Sequence, residues 1–369
     1  MKSRFRIALV AASPAVIGGH SVQAQALATQ LSVEGYEVSY IPIDVRLPRV
    51  LHWIRRVRYV RTLVNEVLYL LTLHRLIRCD VIHVFSASYW SFVLGPVPAV
   101  IVARLLRKPV VLHYHSGEAD DHLSRWRAMI RPVLALVNQI VVPSGYLEKV
   151  FASHGYRARV IPNAIDTCRF HYRQRYSLRA RLLSVRNLQR HYGVDHIIRA
   201  FAQLRLRFPE ATLTIVGEGS QRSELRTLVD KLAVAGIRFL GAVDPAGMPA
   251  IYDAADVFVN ASVIDNQPVS ILEAFASGLP VVSTPTGDIA SMLRGGDAGI
   301  LVNSPDPSGF AAAVASLFVD PELSLRLTAC ARKQLEQYTP AVVCEQWRSV
   351  YSALLPVASC DQEVLVNGV

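Results

Sequence analysis

Between Asp265 and Glu273 the chain reads Asp-Asn-Gln-Pro-Val-Ser-Ile-Leu-Glu, and those types in that order suit phosphate and hydroxyl binding. Proline lacks the N–H that is orphaned at a helix start, so Pro268 is expected at the first helical position. Asp265 and Asn266, with Gln267 beside them, stand just before it, the first two as capping candidates. The free amides of Val269 and Ser270 would then point out of a positive helix end, a ready phosphate site. Glu273 falls about one turn in, where a carboxylate can accept from both hydroxyls of a ribose. Gly278 is suited to end the helix and Pro280 to begin the next strand. A plain strand-to-helix connection would use the same residues, so the segment needs its surroundings.

Those surroundings alternate short apolar strands with amphipathic helices. Residues 7–12 form an apolar run of the kind buried on both faces of a parallel sheet. Gly18 and Gly19 follow, then a helical pattern of Ala24, Leu27, Ala28 and Leu31 closed by Gly35. Residues 38–43, 81–85, 110–115 and 140–143 continue the strands. The second half repeats the plan at 181–185, 212–216, 237–240, 257–260, 281–284 and 299–302. The fold class is therefore α/β, with two doubly wound, Rossmann-like parallel sheets facing each other across a cleft at their strands' carboxyl ends. The polar, basic segment 163–179 divides residues 1–170 from a second domain at 177–339, and 340–355 carries Trp347, Val350 and Tyr351 on a helical pattern. His115 closes a strand just before Ser116-Gly117 and so should face the cleft, while His113, two positions back, suits a satisfied place deeper in the sheet.

The motifs in order resemble the family 4 retaining glycosyltransferases, which have the GT-B fold. The segment from 265 to 273 is similar to their E-x7-E signature, and Gly18-Gly19-His20 to their N-terminal glycine loop. Val141-Val142-Pro143-Ser144 and Ile161-Pro162-Asn163-Ala164-Ile165-Asp166 resemble the end of their first domain. Val216-Gly217-Glu218-Gly219 and Ala255-Asp256-Val257-Phe258 match their second, and residues 340–351 resemble their returning helix, which implies that 340–369 crosses back to the first domain.

The resemblance implies transfer of a sugar from a nucleotide-diphosphate donor to an acceptor, a lipid-linked molecule or a polysaccharide. Arg186 would meet the departing diphosphate, Gly18 and Gly19 would approach it from the opposite domain, and His115 would sit near the transferred sugar. Two positions depart from the family pattern: Asp265 replaces the first glutamate, and Tyr192 stands where a clamping lysine belongs. Arg190 either supplies that second charge or the clamp has one charge only. Catalytic roles thus fall to His115, Arg186 and Asp265, and donor binding to Gly18, Gly19, Arg186, Arg190, Asn266, Gln267, Val269, Ser270 and Glu273. No cofactor and no metal are expected: the histidines are dispersed and no carboxylate triad stands at ligand spacing. A nucleotide-sugar 2-epimerase shares the architecture without an acceptor site, and a degenerate GT-B binding protein would explain Asp265 and Tyr192. The motif order favours the transferase.

Charge adds a partner class. Residues 1–176 hold 23 Lys+Arg against 10 Asp+Glu, a surplus of 13, whereas the rest is close to neutral. The segment 45–69 carries Arg46, Arg49, Arg55, Arg56, Arg58 and Arg61 among Leu47, Val50, Leu51, Trp53, Ile54, Val57 and Tyr59, with no acid before Glu66. Such a mixture suits an anionic membrane surface, or else a helix whose apolar side packs on the sheet while its arginines face water. No recognised nucleic-acid-binding motif accompanies it. With five scattered cysteines and no apolar run of spanning length, the expected place is cytoplasmic, either free or peripheral on the inner face of the membrane.

Overall fold

The computed structural model describes residues 5–13, 19–44, 58–303 and 305–355. Its first sheet holds β1 (Arg6–Ala11), β2 (Glu37–Pro42), β3 (Val81–Ser86), β4 (Val110–Tyr114), β5 (Gln139–Val142) and β6 (Ala158–Val160). Their order is β2-β1-β3-β4-β5-β6, and every pairing is parallel. The second sheet holds β7 (Arg181–Val185), β8 (Thr212–Val216), β9 (Ile237–Gly241), β10 (Val257–Asn260), β11 (Val281–Ser283) and β12 (Ile300–Leu301). It runs β12-β11-β10-β7-β8-β9, again parallel throughout.

Helices cover both faces of each sheet, which is why the strands read as unbroken apolar runs. In β1, Ala8 and Val10 enter one core while Ile7, Leu9 and Ala11 enter the other, as the two-residue period of a strand requires. The expectation of two facing doubly wound sheets holds. One strand was not foreseen: β6 is three residues long with Arg159 at its centre, and none of its residues is fully buried. An edge strand of that kind carries no apolar run to read.

The helix Pro340–Leu354 returns to the first sheet. Val343, Trp347, Val350 and Tyr351 lie on one side of it and bury against Ile7, Leu9, Val81 and Phe85. The last helix among the described residues is thus part of the first sheet's core. In each sheet the strand order reverses at one place, between β1 and β3 and between β7 and β10, where the connections leaving neighbouring strands turn to opposite faces and leave a crevice.

Candidate active site between the two sheets

At the second switch point β7 delivers Arg186 and β10 ends on Asn260. The Arg186 Nε donates to Asn260 Oδ1 at 2.9 Å, and its Nη2 donates to the Asp265 carboxylate. Its Cζ lies 5.2 Å from the centre of the Tyr192 ring. Asn260 is held in turn, donating to Ser283 Oγ at 2.9 Å and accepting from Ser262 Oγ at 2.8 Å. The guanidinium is therefore fixed on two edges and one face, so little side-chain freedom is left to lose when an anion arrives. Tyr192, at the place of the family's lysine, supplies a ring beneath the arginine instead of a second charge. Arg190 is exposed and makes no ion pair among the described residues.

Gly217 and Gly219 make this arrangement possible, although their spacing matches no complete fingerprint. A Cβ on Gly217, whose φ is +135°, would stand 1.9 Å from the Arg186 carbonyl oxygen, and one on Gly219 would stand 2.2 Å from that of Leu188. The turn after β8 can lie against the Arg186 loop only without side chains at both positions.

The donor-side helix runs Val269–Ala276, and here the structure corrects the sequence reading. Pro268 is the N-cap, with an extended backbone at φ −71° and ψ 116°, and no side chain caps the helix. Asp265 is turned away to Arg186 and accepts from its neighbour's amide, Asn266 N, at 2.9 Å. The amides of Val269 and Ser270 precede the first backbone bond of this turn, Ile271 N to Pro268 O at 3.1 Å, and have no acceptor within the helix. Ser270 is 8% exposed, and its buried hydroxyl has no partner among the described residues. Buried polar groups are normally paired, so a vacant hydroxyl beside vacant amides marks a place for an anion. One turn on, Glu273 Oε2 accepts from the Tyr252 hydroxyl at 2.7 Å. Burial pushes the Glu273 carboxyl above its ordinary range, while the Tyr252 bond and the charges of Arg169 and Arg186 pull it back.

The first sheet faces this with rings. His115 lies one residue beyond β4, its amide bonded to Ser86 O at 3.1 Å. Its imidazole stacks on Phe85 with centres 5.1 Å apart, and the His113 ring lies 4.0 Å away. Gly18 lies outside the described residues, and Gly19 opens the helix Gly19–Val33.

Two family models match the chain. The one described as Glycosyltransferase Family 4 takes in residues 17–169, and the one described as Glycosyl transferases group 1 takes in residues 179–320. The chain belongs to the family 4, group 1 glycosyltransferases. It is 32% identical over 274 residues to a glycogen synthase of Mycobacterium tuberculosis, an alignment covering 70% of this chain and 64% of that protein. It is 27% identical over 297 residues to a phosphatidyl-myo-inositol mannosyltransferase of Mycolicibacterium smegmatis, covering 78% and 74%. The chain thus spans slightly less than two thirds of the first of these relatives. Among solved structures, the fold is shared with a sucrose-phosphate synthase of Thermosynechococcus elongatus at TM-score 0.74 and 20% identity, covering 95% and 99% of the two chains. It is shared also with HepE of Anabaena in complex with UDP and glucose, at TM-score 0.73 and 16% identity, covering 95% and 100%.

In this family 4 chain the two sheets meet at the Asp265 turn. Asn266 and Gln267 are buried, and their side chains join the two halves. Asn266 Oδ1 accepts from Ser144 Oγ, and its Nδ2 donates to His115 O at 3.4 Å. Gln267 Oε1 accepts from Asn163 N at 2.7 Å, and Gln267 O from Asn163 Nδ2 at 3.1 Å. The two amides expected to meet the donor are thus engaged across the domain contact. Gly117 and Gly287 close on the same turn: a Cβ on either would stand 2.6 or 2.4 Å from Asp265 O. Beside it opens a cavity of about 350 Å³ lined by Tyr89, Gly117, Glu118, Asp121, Asp265 and Thr286.

Of the expected residues, the structure brings Arg186 and Asp265 into direct contact, sets Val269, Ser270 and Glu273 on one helix, and leaves Arg190 outside these contacts. Asn260, Tyr252, Gly117 and Ser144 were not foreseen. Asn260 could have been noticed as a polar residue ending an apolar strand, whereas the others act through segments distant in the chain. Among the described residues no group of three His, Cys, Asp or Glu stands where it could hold a metal ion.

Proposed function

We propose that this protein transfers a sugar from a nucleotide-diphosphate sugar to an acceptor, with retention at the anomeric carbon and without a metal ion. One observation carries the reading: a guanidinium fixed by Asn260 and Asp265 lies at a switch point whose neighbouring helix has vacant amides and a vacant buried hydroxyl. Breaking the anomeric C–O bond leaves negative charge on the diphosphate, and fixed donors meeting that charge as it forms lower the barrier most. Arg186 and the amides of Val269 and Ser270 are those donors, and Glu273 takes the ribose hydroxyls with the carboxylate oxygen that Tyr252 leaves open. The acceptor oxygen bonds to the same face of the anomeric carbon, and its proton leaves on the departing phosphate oxygen. His115 lines the sugar's side of the cleft.

The acceptor is proposed to be lipid-linked or a polysaccharide, the two classes named for a mannosyltransferase and a glycogen synthase among the relatives. A peripheral place at the inner face of a membrane is supported by the helix Arg58–Thr72, which keeps Val60, Leu63, Val67, Leu70 and Leu71 on its exposed side. Leu63 and Leu71 are 66% and 65% exposed, an apolar stripe of the kind that enters a lipid interface. The arginine-rich residues 45–57 lie outside the described residues. No helix among the described residues is long and apolar enough to cross a membrane.

The purified chain, given labelled nucleotide-diphosphate sugars, a lipid or glucan acceptor and a chelator, should yield a product with the donor's anomeric configuration. Failure of every donor to bind or turn over would overturn the donor-site reading, and a strict metal requirement would remove the arginine and helix amides as the main charge partner. Sedimentation with anionic vesicles should carry the protein down at low salt and release it at high salt.

A further inference from the structure

Three histidines and a tyrosine form a buried line from the returning helix to the cleft. The Tyr351 hydroxyl lies 2.7 Å from His83 Nδ1, and His83 Nε2 lies 3.3 Å from His113 Nδ1. The His113 ring is 4.0 Å from that of His115. Tyr351 and His83 are both fully buried, with Trp347 packed on His83 at 4.6 Å and on His113 at 4.8 Å.

We propose that Tyr351 and His83 are positioning residues for the transfer reaction: they fix which nitrogen of His113 carries the proton, and so hold the rings of His113 and His115 at the cleft. The proposal rests on the reading of His115 as a residue beside the transferred sugar.

The direction of the line follows from valence. Among the described residues the Tyr351 hydroxyl has His83 Nδ1 as its hydrogen-bond partner, and burial keeps that hydroxyl protonated. It therefore donates. A neutral imidazole has one N–H and one lone-pair nitrogen, so His83 must carry its proton on Nε2 and donate it to His113 Nδ1. Burial pushes the His83 pKa down to about 3, so the ring stays neutral and the direction is preserved. His113 is then left with its proton on Nε2. The hydroxyl of a residue near the carboxyl end of the chain thus sets the tautomer of a histidine beside the cleft, passing through one intermediate ring. Phenylalanine would serve if only volume were required, as Phe85 does in the same cluster. Instead three polar groups are buried in series, an arrangement that is costly unless each is paired.

Tyr351→Phe and His83→Phe keep the aromatic packing and break the line at two points. In ¹⁵N-labelled protein, the His113 ring nitrogens should report one tautomer in the parent and a mixture in Tyr351→Phe. Turnover should fall roughly 10–100-fold in either variant, as for a displaced reacting group, with the donor KM within about twofold of the parent. Because both act through one line, the double variant should be no slower than His83→Phe alone. An unchanged His113 tautomer in Tyr351→Phe, an unchanged kcat, or losses that multiply in the double variant would each overturn the proposal. The nitrogen shifts need no sugar transfer to be read. An inactive parent whose His113 still responds to Tyr351→Phe would therefore refute the transferase reading and leave the hydrogen-bonded line standing.

Discussion

The two faces of the cleft are built on nearly the same plan and carry opposite kinds of chemistry. Each is the carboxyl edge of a six-stranded parallel sheet with one reversal of strand order. The second presents Arg186, Asp265 and Asn260 in one hydrogen-bonded group beside an open helix end. The first presents Phe85, His113 and His115 as closely packed rings backed by Trp347. Topology fixes where a crevice opens, whereas the residues at and just beyond the strand ends fix what the crevice can hold. A face with a fixed cation and vacant amides suits a diphosphate, and a face of packed rings suits the sugar beside it.

The sharpest way to break this contrast is to remove the cation. Arg186→Ala should lower kcat by roughly 10²–10³, the loss typical of one preorganised donor to a developing charge. The donor KM should change far less, because the charge grows in the transition state. Asp265 would lose its partner in the same variant, so Asp265→Asn is the control: it abolishes the ion pair while keeping Arg186. If Asp265→Asn reproduces the whole loss, the pair itself and not the guanidinium is what matters. A variant Arg186→Ala with unchanged kcat would reduce the second face to a binding surface.

Glu273→Ala should act on binding instead. Losing a charge-assisted hydrogen bond to the ribose should weaken donor affinity by about 1.5–3 kcal/mol, read by calorimetric titration. Tyr252→Phe separates two ways of reaching that result. It removes the hydroxyl that orients the carboxylate at 2.7 Å while leaving the charge, so its effect should be the smaller of the two. Equal losses would mean that Glu273 serves mainly to satisfy Tyr252.

Much of the second face was legible because its parts are close in the chain. Asp265 to Glu273 is one turn and one helix, and Arg186 follows an apolar strand whose bounds can be read from its composition. The cap was misread because Asp265 and Asn266 are types that favour N-caps, and nothing local reveals that Arg186 and Ser144 compete for them. On the first face His115 and His113 were legible at a strand end, but what pairs with them was hidden for the same reason on a larger scale. His83, His113 and Tyr351 come from two strands and a helix near the other end of the chain, and their pairing exists only once that helix has crossed back. Gly117 looked like any loop glycine until the Asp265 carbonyl was found against it. Contacts between distant segments leave no periodicity or spacing behind.

The smallest expected effect concerns what joins the two faces. Asp288 lies at their contact, where the backbone of Tyr146 in the first domain and the Gln267 side chain favour its ionised form. Burial nonetheless outweighs both influences and pushes its pKa from 3.8 up to about 6. The folded chain therefore holds this proton at pH values where the unfolded chain has released it. Between about pH 4 and 6 the folded state binds more protons, so stability falls as pH rises, then levels off once the group is ionised in both states. A carboxyl that remains partly exposed should account for about 1–2 kcal/mol of that fall. Asp288→Asn removes the titration while keeping one acceptor oxygen. Relative to the parent, the variant should gain about 1–2 kcal/mol at pH 7 and nothing below about pH 4. Urea melts at those two pH values measure the difference directly. A gain of equal size at both would mean that the substitution acts through packing, and that the join between the charged face and the ring-lined face carries no buried ionised group.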